Sequence, residues 1–114
     1  MVAEEHVLVR MEIADELRKH GFNVAEAANA YEAVSILHSG VAIDLVIADI
    51  KMQAPQDDAG LAAIIRTEYP EVKMVVTSAQ VMEDQLDWVV DGFVRKPYDA
   101  PEVAVYIKAL LDQQ

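Results

Sequence analysis

Leu45-Val46-Ile47-Ala48 is a continuous apolar run closed by an aspartate, Asp49. It is too short for a helix that must bury itself, and it lacks the apolar–polar alternation of a strand with one wet face. A run of this kind fits a strand covered on both faces, as in a parallel sheet sandwiched between helices. The rest of the chain supports that architecture. Further short apolar runs occur at Val2-Ala3, Phe22 to Ala28, Met74 to Thr77 and Phe93-Val94.

Segments of helical period separate these runs. The first carries Val9, Ile13, Leu17 and His20 on one stripe and ends at Gly21, a residue suited to the left-handed position that closes helices. The second opens at Asn29 with Glu32 three residues on, a capping box. Ala30, Ala33, Val34 and Leu37 form its inner face, and Gly40 closes it. A third, from about Ala59 to Tyr69, presents Leu61, Ile64 and Ile65 and stops before Pro70. A fourth presents Met82, Leu86 and Val89 and ends near Gly92. The fifth starts at Asp99, with Pro101 in its first turn and Glu102 completing the cap; it buries Val103, Ile107, Leu110 and Leu111. Five strand-then-helix units with short connections predict an open parallel α/β sheet with helices on both faces.

At 114 residues the chain has the size of one domain, and its 54% hydrophobic content supports a substantial core. Twenty acids against nine bases give a net charge of -11, a field that repels nucleic acid and anionic membrane surfaces and suits cations or basic partners. There is no cysteine, so thiolate chemistry and disulfides are excluded. The amino-terminal residues lack a signal-peptide pattern and no apolar run has membrane-spanning length, so the expected location is the cytoplasm.

Doubly wound sheets bind ligands beyond the carboxyl ends of their strands. Those ends carry Glu4 and Glu5 after the first strand and Asp49 after the third. Thr77, Ser78 and Ala79 follow the fourth, and Lys96-Pro97 the fifth. Clustered carboxylates repel one another unless a cation joins them. A hard divalent ion such as Mg2+ needs only one or two carboxylates beside its waters. A lysine and a hydroxyl alongside could then neutralise and hydrogen-bond a phosphoryl group.

The chain resembles the receiver domain of response regulators in two-component signalling. The resemblance is carried by the segment Val7 to Ala33, the run Asp44-Leu45-Val46-Ile47-Ala48-Asp49, the step Val76-Thr77-Ser78-Ala79 and the close Phe93-Val94-Arg95-Lys96-Pro97-Tyr98. It spans essentially the whole chain, residues 1–114, as one domain. It implies a flavodoxin-like (βα)5 three-layer sandwich of strand order 2-1-3-4-5. Asp49 would be the phosphoacceptor, with Glu4, Glu5, Asp49 and the backbone carbonyl of Lys51 holding Mg2+. Lys96 would bind phosphoryl oxygens, Ser78 and Phe93 would be the switch pair, and Lys96-Pro97 a cis peptide. The implied partners are a histidine kinase or phosphotransfer protein and a downstream protein target, with the face of the fourth and fifth helices and fifth strand available for a homodimer. Trp88, on the fourth helix off its apolar stripe, is placed at that face. A signalling switch rather than an enzyme is expected, and with no output domain before Gln114 the signal would leave by protein contact.

Three departures from the family pattern stand out. The first strand is a stub, and a rival alignment would make His6 to Arg10 the strand instead. The acidic pair is Glu4-Glu5, where the family's second member is almost always aspartate. Gln53 replaces a proline after Met52. These departures keep open a second reading, a non-phosphorylated pseudo-receiver that serves as an interaction module. A phosphohydrolase with an aspartate nucleophile shares the sheet, but it would need a second acid where Lys51 stands.

Overall fold

The computed structural model describes residues 1–49, 61–79 and 90–112. Among them run β1 (Val2–Ala3), α1 (Val7–Lys19), β2 (Glu26–Ala27), α2 (Ala30–His38), β3 (Leu45–Asp49), α3 (Leu61–Glu68), β4 (Lys73–Ser78), β5 (Gly92–Arg95) and α4 (Ala100–Asp112). The strands form one parallel sheet of order β2-β1-β3-β4-β5. α4 is the fifth helix of the sequence pattern. The fourth candidate helix, with Met82, Leu86, Trp88 and Val89, lies outside the described residues, as do Lys51, Met52 and Gln53.

Strand residues explain the continuous apolar run by splitting between two cores. Val46 and Ala48 join Met74 and Val76 on one face, under Ala30, Ala33 and Leu37 of α2 and Leu61, Ala62 and Ile65 of α3. Leu45 and Ile47 join Val2 and Val75 on the other, under Ile13, Ala14 and Leu17 of α1 and Val103, Ala104 and Ile107 of α4. Successive side chains of a strand point to opposite faces, so a sheet covered twice needs apolar residues at every position. Ile13 and Ile65, both 0% exposed, lie one in each core; burying a side chain of that size stabilises by about 1.5–3 kcal/mol.

Helix ends follow their capping residues. Asn29 Oδ1 accepts from the Glu32 amide at 2.8 Å, while Glu32 Oε1 reaches back to the Ala28 amide at 2.7 Å, one residue earlier than a standard capping box. Asp99 Oδ2 accepts from the Glu102 amide at 3.1 Å. Beyond α1 the Gly21 amide donates to Arg18 O and the Phe22 amide to Leu17 O, a pairing that requires the positive φ of 90° at Gly21. His20 is therefore not part of the buried stripe: it is the C-cap, exposed, with its ring against Glu16 O at 2.9 Å. Ala14 takes the inward place instead.

β1 is as short as its sequence suggests, yet Val2 and Ala3 are each 1% exposed between β2 and β3. The preferred alignment is the one observed, since the residues of the rival strand lie in α1 and its N-cap, His6. At the amino edge of the sheet lies a cavity of about 380 Å³, lined by Met1, Leu17, Phe22, Ile43, Ile107 and Leu111 among others. β2 uses only Glu26–Ala27 of the predicted Phe22-to-Ala28 run. Among the described residues no helix is long and apolar enough to cross a membrane.

Candidate functional site

Parallel register brings the strand ends level. Ala3 pairs with Ala48, and Asp49 pairs with Thr77. Glu4 thus leaves β1 beside Asp49 at the end of β3, and Lys96 follows β5 at the same edge. All three meet there. The Lys96 ammonium donates to Glu4 Oε1 at 2.5 Å and to Asp49 Oδ2 at 2.8 Å. Glu4 is 4% and Asp49 8% exposed. The Lys96 amide is fixed by Ser78 O at 2.8 Å, and the Lys96-Pro97 bond is cis.

Glu4 is held at every polar group. Its amide donates to Ala27 O at 3.0 Å, its Oε2 accepts the His6 amide at 3.0 Å, and its carbonyl accepts Arg10 Nη1 at 3.0 Å. Glu5, the next residue, is exposed. The acidic pair of the sequence is therefore split between a buried member and one facing solvent. Ser78 is buried at the end of β4, one position beyond the level of Asp49, and Phe93 is half-buried against the α2–α3 core. The carbonyl of Lys51 lies outside the described residues.

Burial of the Lys96 ammonium works against its charged form, but hydrogen bonds to Asp49 and Glu4 and their negative charges outweigh it and raise its pKa above that of an ordinary lysine. Tyr98, two residues on, has its hydroxyl pushed up to about 12, first by burial and next by the charge of Glu4. Both groups bind protons more tightly folded than unfolded. Their stabilising contribution is complete below about pH 10 and is lost as the pH rises through the folded values. Tyr98→Phe keeps the packed ring and removes the ionisable hydroxyl. Urea unfolding of this variant is expected to fall less steeply than wild type between about pH 10 and 12, by up to ~2 kcal/mol across the window; parallel curves would show that Tyr98 does not titrate with folding.

Among the described residues no three acidic or histidine side chains converge into a ready-made cation cage. Two carboxylates share one ammonium, however, which leaves an excess negative charge, and the oxygen donors suit a hard cation that keeps most of its water. Glu4, Asp49 and the exposed Glu5 are the acids at this edge that could hold Mg2+.

Sequence reading missed Arg10, whose contact with Glu4 O depends on α1 lying against β2. It also missed Asp91, which accepts from Arg66 Nη2 at 2.9 Å and the Met74 amide at 2.8 Å and braces α3 to the sheet at the edge away from the site.

A doubly wound sheet with acids and a lysine gathered at its carboxyl edge defines a class of small α/β domains. Residues 1–108 match the response regulator receiver domain, and the chain belongs to that family. Receiver domains serve as switches in two-component signalling and typically bind Mg2+. Among curated proteins, the sensor kinase CckA of Brucella abortus is 29% identical over 120 residues, covering all of this chain and 12% of that protein. A putative NtrX-like response regulator of Rickettsia felis is 27% identical, covering 95% of this chain and 24% of that protein. The chain thus spans a quarter or less of these relatives. Among solved structures, the receiver domain of NtrX from Brucella abortus superposes with a TM-score of 0.84 at 22% identity, covering 99% of this chain and 98% of that one. A response regulator receiver protein from Sinorhizobium medicae gives 0.83 at 24% identity, covering 98% and 92%.

Proposed function

We propose that the chain, taken as one receiver domain over residues 1–114, is a phosphorylation-dependent switch or phosphorelay intermediate that accepts phosphate on Asp49 from a histidine kinase or phosphotransfer protein. The observation that carries this reading is the Lys96 ammonium joined to both Glu4 and Asp49 at the carboxyl edge of the sheet. An Asp49 carboxylate oxygen attacks the donor phosphorus, a P–O bond forms, and the bond to the leaving group breaks with its electron pair. Lys96 then neutralises charge on the transferred oxygens. Glu4, Glu5, Asp49 and the Lys51 carbonyl would hold Mg2+, which would supply further charge neutralisation. Ser78 and Phe93 are the switch pair, and the phosphorylated form passes its signal by protein contact through the face of β5 and α4. That face also offers a homodimer surface.

The test is intact mass after incubation with acetyl phosphate, with and without Mg2+. A single phosphoryl adduct that depends on Mg2+ and maps to residue 49 is the expected result. A second reading rests on the exposure of Glu5 and on the ion pairs that already satisfy Glu4 and Asp49: a pseudo-receiver that binds partners without chemistry. Folded protein that takes no adduct, and whose partner binding ignores Asp49→Asn, would establish that reading instead.

A further inference from the structure

Glu5 follows directly on Glu4, a residue of the β1–α1 turn whose backbone amide and carbonyl are both pinned. On one side the Glu4 amide is tied to Ala27 O of β2 at 3.0 Å. On the other, the Glu4 carbonyl accepts Arg10 Nη1 at 3.0 Å, and the same guanidinium meets Glu26 Oε1 through Nε at 3.4 Å. Arg10 reaches back from the second turn of α1, and its side chain is only 16% exposed. Because the peptide unit is planar, fixing the Glu4 carbonyl fixes the Glu5 amide and the Glu5 Cα, the point from which the Glu5 side chain departs.

We infer that Arg10 is a positioning residue for the cation site: it orients the Glu4–Glu5 peptide so that the second acid, although exposed and one methylene longer than an aspartate, reaches the same cation as Asp49. The inference rests on the phosphoacceptor reading and extends it to a residue outside the acid–lysine crevice. The fork of a guanidinium suits the task because separate N–H groups serve a carbonyl and a carboxylate at once; an ammonium is a point donor on a looser stem.

An internal control exists two turns along the same helix. Arg18 Nη2 pairs with the other oxygen of Glu26 at 3.0 Å and with Val24 O at 3.1 Å, and touches nothing of Glu4. A purely structural clamp of α1 onto β2 would make the two arginines equivalent. Positioning of the acids makes them differ.

The experiment is calorimetric titration of the whole chain with Mg2+ alone, without phosphodonor, with thermal unfolding of each variant in parallel. Arg10→Met keeps the apolar stem and is expected to weaken Mg2+ binding about 10-fold, the lower end of what loss of an outer-shell partner costs. Arg10→Lys is expected to recover most of it, to within about threefold of wild type, and Arg18→Ala to bind as wild type. Wild-type affinity in Arg10→Met, or equal weakening in Arg18→Ala, overturns the inference. If Arg10→Met does not fold, Arg10→Gln, whose side chain is shorter than arginine and carries no charge, decides, and wild-type affinity in that variant overturns the inference. A wild-type chain that takes up no Mg2+ overturns the phosphoacceptor reading and this inference with it, an outcome distinct from a wild type that binds beside an Arg10 variant that binds equally.

Discussion

Asp49→Asn is expected to abolish phosphoryl transfer from acetyl phosphate, by at least about 1000-fold, while leaving the fold as stable as wild type within ~1 kcal/mol. An amide oxygen is not a nucleophile at neutral pH, and among the described residues Asp49 is the carboxylate that ends the central strand β3. Stability should survive because the amide still accepts from Lys96, and because removing one of two adjacent negative charges relieves repulsion. Intact mass and urea unfolding on the same preparation separate the two effects. An adduct that persists at wild-type rate in Asp49→Asn places the phosphoryl group on another side chain and overturns the assignment.

Much of the fold was legible because its local signals are chemical rather than statistical. Asn29 with Glu32, Asp99 with Glu102, and Gly21 and Gly40 each set a helix end that the structure reproduces. The continuous apolar β3 demanded helices on both faces, and Val46 and Ile47 do lie in different cores. Extent was read less well. The run from Phe22 to Ala28 looked like one strand, but β2 pairs only as far as its short partner β1 allows, so the neighbour's length and not its own composition set the strand. His20 fitted a helical stripe by spacing, yet the turn at Gly21 ends the helix before that position can be buried.

The site divides in the same way. Asp49, Glu4 and Lys96 were each found because a charged residue that ends a buried strand has one place to go, the carboxyl edge. That a single ammonium serves both carboxylates was not readable, since it depends on the register of three strands. Nor was the contrast between Glu4 and Glu5, which are identical in type and adjacent in sequence. The difference arises from the turn into α1, where the His6 amide and Arg10 take hold of Glu4 and leave its neighbour in solvent. Arg10 itself resembles any charged residue on an amphipathic helix until the packing of that helix on β2 is known.

Lys96→Met carries the other large expected effect, and it reads on stability as well as chemistry. The ammonium is the cation that lets two carboxylates, Glu4 and Asp49, stay buried side by side. Removing one partner of a buried ionic group costs far more than the group contributes net, because the remaining charge is left uncompensated. At neutral pH the variant is expected to lose about 3 kcal/mol in urea unfolding. Its rate of labelling by acetyl phosphate should drop by about 100- to 1000-fold, the scale for loss of a donor aimed at developing negative charge. Adding Glu4→Gln should restore stability at neutral pH without restoring the labelling rate, a coupling that a double-mutant cycle measures directly. If Glu4→Gln adds its own loss instead of offsetting it, the ammonium is not the counter-charge of this crevice. The electrostatic basis for placing phosphoryl chemistry there then fails with it.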